Sequence, residues 1–375
     1  MKKNSNRSAT IDILRIIAII FVIACHIALP PIGIHGEIDK GRLIISCLVG
    51  DGVSIFLIIS GFFMYRKENY IIKVKKMIKT IIIPSIVLII FTSIFYNYIT
   101  NKSSLLNCIK DFDNIKENIK LSLIGIANLN ATKIPGAPHL WYIFTYITCY
   151  LWLPLITLIF DTENEESKLA KKMILFLGIF NLIVISISQI CDKPFSYINT
   201  ITIVPTALLL IIIGKIVYDK IDFIKNNKKI RYWGLSVYII VSIIKILLQY
   251  ILYRKNVANT YFLYWNSPPA IIESIGLVLF ILSFDIKSNK VISNIGICTF
   301  GIYLIHWMIK EKFNYNGYFE MIQKVVNTKS SFISECLYTI ISTIVIFSIS
   351  LIIIEIIKYI KNIWRYYFYE RKIKQ

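Results

Sequence analysis

Apolar runs of about twenty residues, separated by short polar and basic segments, dominate this chain. A helix rises about 1.5 Å per residue, so each such run can cross a hydrocarbon layer about 30 Å thick. The pattern predicts membrane helices at approximately 10–30, 43–64, 78–99, 140–160, 172–190, 198–217, 234–253, 268–284, 291–310 and 333–357. The predicted fold class is therefore all-α integral membrane, a bundle of about ten transmembrane helices forming a single domain over 1–375. The longest polar insert is 100–139. Within it Leu105, Ile109, Phe112, Ile115 and Ile119 recur at helical spacing, which predicts a helix lying on the membrane surface or against the bundle. Pro135-Gly-Ala-Pro138 then breaks the chain before the next run.

Charge adds an orientation. Lys and Arg total 42 against 22 Asp and Glu, and the basic residues fall mostly between the apolar runs. That placement favours an anionic cytoplasmic leaflet over nucleic acid as the partner. With the N-terminus inside, the inner segments hold roughly two-thirds of the Lys and Arg, led by Arg66-Lys67, Lys73, Lys75-Lys76 and Lys79. Both termini are then cytoplasmic, and 358–375 forms a basic tail whose Trp364–Tyr369 aromatics read as an inner-interface belt. The insert 100–139 is extracytoplasmic. The start of the chain imitates a signal peptide, but its apolar run is too long, contains Asp12 and Arg15, and lacks a small-residue cleavage site. Seven cysteines, Cys25, Cys149 and Cys298 among those inside apolar runs, show neither a disulfide framework nor metal-ligand spacing, so no metal site is expected.

Polar residues inside the apolar runs are the candidates for chemistry, because burying them is costly without a task or partner. Arg15 and His26 share the first run. Eleven residues at ~100° each bring them to within about 20° of one helix face, roughly 16 Å apart along the axis. Asp12, three residues before Arg15, either pairs with it locally or is oriented by it. In this topology His26, His139 and His306 lie near the outer ends of their helices and His35 lies in the first outer loop. Arg15 and Arg66, with Ser60-Gly61 between them in sequence, gather toward the inside. Ser60 could be a nucleophile, but no base or nucleophile-elbow pattern accompanies it, and close helix packing at Ser60-Gly61 is the favoured reading. His139, next to Trp141-Tyr142, reads as an interfacial anchor on spacing alone. His306 either positions a substrate or is a satisfied interfacial histidine. Glu273 and Lys245 are expected to pair with each other. Asp51, between two glycines, answers Arg42 or lines a cavity.

At these residues the sequence resembles the integral-membrane acyltransferase family 3, over essentially its whole length. Ile11-Asp-Ile-Leu-Arg15 through His26 is similar to the family's arginine–ten residues–histidine signature. Gly52-Val-Ser-Ile-Phe-Leu-Ile-Ile-Ser-Gly-Phe62 resembles its aromatic–Ser-Gly-Phe motif, His139-Leu-Trp-Tyr142 its His-x-Trp element, and Phe300-Gly-Ile-Tyr-Leu-Ile-His306 its Gly-x-Tyr-Leu-x-His element. The resemblance implies transfer of an acyl group, commonly acetyl, from cytoplasmic acyl-coenzyme A to a hydroxyl of a glycan, peptidoglycan or related cell-envelope acceptor. It implies no tightly bound cofactor, with acetyl-CoA as donor substrate, and a multi-pass protein of the plasma membrane. Two departures stand out. The basic run entering the third span is all lysine where the family often has arginine, so a bidentate grip on phosphate is lost. No hydrolase-like or racemase domain follows the membrane part, so direct acceptor access, a homodimer, or a partner protein that accepts the acyl group is expected.

On this reading His26 is the general base, since a neutral imidazole is the state a base needs. Arg15, with Asp12 beside it, holds the donor phosphates. Ser60, Gly61, Arg66, His139, Trp141, Tyr303, His306 and Glu273 are the candidate substrate-binding positions. Two rivals stand beside this one. A transporter or exporter would also carry intramembrane charges, but the chain shows no inverted repeat and no paired broken helices. A sensor would bind acyl-CoA without turnover.

Overall fold

The computed structural model describes residues 8–29, 31, 39–65, 69–100, 102–161, 164–190, 203–254, 264–287, 289–315, 317–326 and 331–373. All regular structure among them is helical. The helices are α1 (Ala9–Ala28), α2 (Lys40–Val49), α3 (Gly52–Met64), α4 (Tyr70–Met77), α5 (Ile83–Ile99), α6 (Leu105–Lys110), α7 (Phe112–Ala127), α8 (Trp141–Leu151), α9 (Leu153–Asp161), α10 (Glu165–Ile190), α11 (Ile203–Asp219), α12 (Ile221–Ile224), α13 (Lys228–Arg254), α14 (Pro268–Leu282), α15 (Lys290–Tyr315), α16 (Tyr318–Val325) and α17 (Ser331–Ile373). Six helices among the described residues are long and apolar enough to cross a membrane, and seven if the bent pair α8–α9 counts as one span. Three further apolar helices, α10, α11 and α14, fall where 172–190, 198–217 and 268–284 are expected; α14 has 15 residues, short for an untilted span.

Local chemistry explains where the helices break. The expected single span 43–64 is interrupted at Gly50-Asp51, where glycine is a poor helix former and Asp51 leaves the helical backbone geometry. The third span starts earlier than expected. The lysine run is helical from Tyr70, and a π-turn at Ile78–Ile82 carries the chain into Pro84, which has no N–H to give the preceding turn. Pro154 likewise accompanies the 50° bend between α8 and α9. The basic tail continues α17 to Ile373 rather than leaving it.

The insert 102–140 packs against α5 with its polar side. Cys108, Asn118, Ser122 and Gly125 are buried, while Leu106, Phe112 and Leu123 are exposed. Asn118 Nδ2 donates to the Ser93 carbonyl at 3.1 Å, the Ser93 and Ser122 hydroxyls meet at 2.8 Å, and Cys108 Sγ donates to the Ile94 carbonyl at 3.0 Å. The apolar positions expected to define the helix thus face outward, as a lipid-contacting surface requires.

α1 lies at the centre, with Leu14, Ala18, Ile19, Ile23 and Ala28 buried against α2, α3, α15 and α17. Close crossings set the rest. A Cβ on Gly61 would collide with the Ile211 carbonyl and lie 2.9 Å from Gly214 Cα, so α3 and α11 meet backbone to backbone. This is the close-packing role expected of Ser60-Gly61. Gly234 and Gly276 do the same for α13 and α14.

Candidate functional site

Three histidines far apart in sequence meet at one end of the bundle. The His26 ring of α1 stacks on His306 of α15 at 5.5 Å and 19°, and His139 lies 5.0 Å from His306, nearly perpendicular to it. Trp307 joins them, edge-on to His26 at 4.9 Å and stacked on His139 at 5.9 Å. The periodicity of α15 explains the arrangement. Tyr303 and His306 are three residues apart and Trp307 four from Tyr303, so all fall on adjoining faces within about one turn.

The backbone of α15 fixes two of the imidazoles. His306 Nδ1 faces the Tyr303 carbonyl at 2.7 Å, and His139 Nε2 faces the Leu304 carbonyl at 3.1 Å. A carbonyl only accepts, so each of these nitrogens carries the proton. The opposite nitrogens, His306 Nε2 and His139 Nδ1, are then lone-pair acceptors, and both are buried without a partner among the described residues. The Tyr303 hydroxyl donates to the His139 carbonyl and holds the 3-10 turn Pro138–Leu140 in place. His139 is 2% exposed and His306 0%, so neither is the satisfied or anchoring residue of an interface.

His26 is the accessible member. It borders a cavity of about 350 Å³ together with Cys25, His139, Trp141, Tyr303 and Trp307. Gly50 and Gly52, on either side of the α2–α3 break, complete that wall. No trio of His, Cys, Asp or Glu among the described residues is arranged to hold a metal. The side chains that line the cavity offer proton acceptance by imidazoles in an aromatic enclosure.

The other candidate residues lie elsewhere. Arg15 pairs with Asp12 at 3.0 Å and lies 4.9 Å over the Phe63 ring, at the opposite end of α1. Asp12 is fully buried against Gly296, where a Cβ would come 2.8 Å from its carboxyl carbon. Neither borders the cavity around His26. Ser60 donates to the Phe56 carbonyl one turn back at 2.8 Å, which occupies its hydroxyl proton. Lys73, expected among phosphate-binding lysines, is buried and donates to the Met64 carbonyl at 2.8 Å, capping α3. Glu273 pairs with Lys245 as expected and also accepts from Ser242, all three within the α13–α14 contact. Asp51 is fully buried and neither of its carboxylate oxygens has a partner among the described residues. Arg42 instead pairs with Asp39 at 3.1 Å. Arg66 and His35 lie outside the described residues.

Sequence reasoning missed Trp265, Trp307 and Lys310, which also border the cavity. Trp307 directly follows His306, and Lys310 sits one turn further along the same face, a spacing that pointed to both. Trp265 stacks on Trp141 at 5.6 Å and 18°, and precedes the helix-starting Ser267-Pro268.

A family model described as an acyltransferase domain matches residues 8–355. No curated protein and no solved structure matches the chain.

Proposed function

The chain belongs to the acyltransferase family 3, and on that premise we propose that it is a plasma-membrane O-acyltransferase carrying an acetyl group from cytoplasmic acetyl-CoA to a hydroxyl of a cell-envelope glycan. The observation that carries the reading is an aromatic cavity lined by His26 and His139, with His306 packed against both. An alcohol is a weak nucleophile until a base takes its proton, and an imidazole is suited to that near neutral pH.

In the proposed step the acceptor hydroxyl gives its proton to His26 while its oxygen attacks the thioester carbon. The C–S bond breaks as the C–O bond forms. The imidazolium of His26 returns the proton to the leaving thiolate, so coenzyme A departs as the thiol and His26 is restored. The His306 ring stacked on His26 and the lone pair of His139 on the cavity wall stabilise the transient imidazolium of His26. Arg15 would hold donor phosphate at the other end of α1, with the extended pantetheine arm covering the roughly 16 Å between them. The membrane arrangement that serves this is ten spans with both termini cytoplasmic, so that donor and acceptor approach from opposite sides.

Purified protein with radiolabelled acetyl-CoA and an acceptor extract tests the reading. Release of coenzyme A thiol together with labelled acceptor is expected. His26→Ala should abolish release while leaving expression and thermal stability near wild type. Wild-type protein that binds acetyl-CoA without releasing thiol, or undiminished release by H26A, would refute it.

A further inference from the structure

The cavity beside His26 has a feature that the acyl step itself does not use. Among the described residues that line it, Lys310 is the only formally charged side chain and none is a carboxylate. The Lys310 ammonium lies 4.2 Å over the Trp307 ring, and Trp307 in turn touches His26. A cation is thus set one aromatic ring away from the base. Its ion-pair partner Glu311, 3.7 Å away, lies outside the lining, so the pair leaves the cavity side of the ammonium open to a second anion. Elsewhere on the wall, Trp141 and Trp265 form a flat stacked plate.

From this we infer that the cavity selects an acceptor carrying a carboxylate: a pyranose-like ring lies against the tryptophans and its carboxylate pairs with Lys310. The inference rests on the reading of this cavity as the acceptor site and names the class of acceptor. Three physical points support it. A cavity of about 350 Å³ matches the low end of small-ligand sites and is the right order for one sugar unit. The C–H faces of a sugar suit indole rings, which bring large contact area at low entropic cost. An ammonium on the wall of a cavity whose described lining holds no carboxylate favours an anion inside it, because a lowered dielectric strengthens the pairing. The thioester and the pantetheine arm are neutral, so they do not call for a cation. The donor's phosphates are the other source of negative charge, and the proposed function places them near Arg15.

Quenching of tryptophan fluorescence on the purified full-length protein tests this, since three tryptophans line the cavity. The probes are methyl β-D-glucuronide, methyl β-D-glucoside and coenzyme A, titrated into wild type, Lys310→Gln and Lys310→Arg. The glucuronide should bind at least tenfold tighter than the glucoside. K310Q should erase that preference, K310R should keep most of it, and coenzyme A affinity should be equal in all three. Equal affinity for the two sugars, no saturable quench by the glucuronide, a preference that survives K310Q, or a K310Q effect on coenzyme A instead would each overturn the inference. Failure of acyl transfer itself shows separately, as absence of thiol release with the sugar preference intact.

Discussion

Removing the ammonium of Lys245 should be among the most damaging single changes in the bundle. Lys245 and Glu273 are both 0% exposed and pair directly, and Asp51 lies close enough to interact electrostatically with both. Lys245→Met therefore leaves two buried carboxylates with no cation. Glu273→Leu leaves Lys245 with Asp51 still at hand. At an effective dielectric of about 20, two unit charges about 4 Å apart interact by about 4 kcal/mol. Breaking a buried pair from one side costs about 3–5 kcal/mol. K245M is expected at the upper end of that range and E273L at the lower. The double variant K245M/E273L removes the pair together but still leaves Asp51 without its nearby cation, so it is expected to be more stable than K245M and short of the neutral outcome of a clean pair replacement. Ser242 keeps its bond to the Tyr238 carbonyl at 2.7 Å, so it is not orphaned. Equilibrium unfolding in detergent, followed by tryptophan fluorescence, gives the three values, and thiol release gives the activity. A double variant as unstable as K245M, or a K245M that costs less than about 1 kcal/mol, would refute the reasoning. A stable but inactive double variant would favour Glu273 as a substrate-binding residue over its structural pairing with Lys245.

Three further outcomes are expected. Ser60→Ala should keep thiol release within about twofold of wild type, because the hydroxyl proton is spent on the Phe56 carbonyl; a loss above about a hundredfold would restore Ser60 as a nucleophile. Tyr303→Phe removes the hydroxyl that holds the His139 carbonyl, which should cost about 1 kcal/mol of stability in a melting experiment and lower kcat more than it changes KM. Asp51→Asn should leave the melting temperature unchanged or raised, since Lys245 keeps Glu273 and the uncharged isostere removes a buried carboxylate that lacks a hydrogen-bond partner among the described residues; a drop of several degrees would show that Lys245 depends on the Asp51 charge as well.

The sequence was a good guide wherever one helix acts alone. The 3.6-residue period places Asp12 beside Arg15, and the apolar runs mark α1, α13, α15 and α17 to within a few residues at most of their ends. It also named His26, His139, Tyr303 and His306, though their convergence depends on how α1, α8 and α15 pack, which no local spacing encodes. Lys310 was passed over because a lysine at the end of an apolar run reads as a residue reaching for the membrane surface. The spacing in the insert predicts a helix on the membrane surface or against the bundle, and the structure turns its hydrogen-bonding face inward: Asn118 and Ser122 find partners on α5, and the leucines are left for lipid. Pattern alone does not decide which face of a membrane-bound helix is the buried one.

Both buried imidazoles hang their protons on carbonyls of α15, at positions 303 and 304, rather than on neighbouring side chains. Main-chain atoms are the same whatever residue occupies those positions. The tautomers of the pair are therefore insulated from drift at surrounding positions, and new acceptors can be explored by changing the aromatic wall without rewiring the proton acceptors. Saturation mutagenesis of Leu304 should accordingly return many functional variants, while proline, which would distort the carbonyls themselves, should return none.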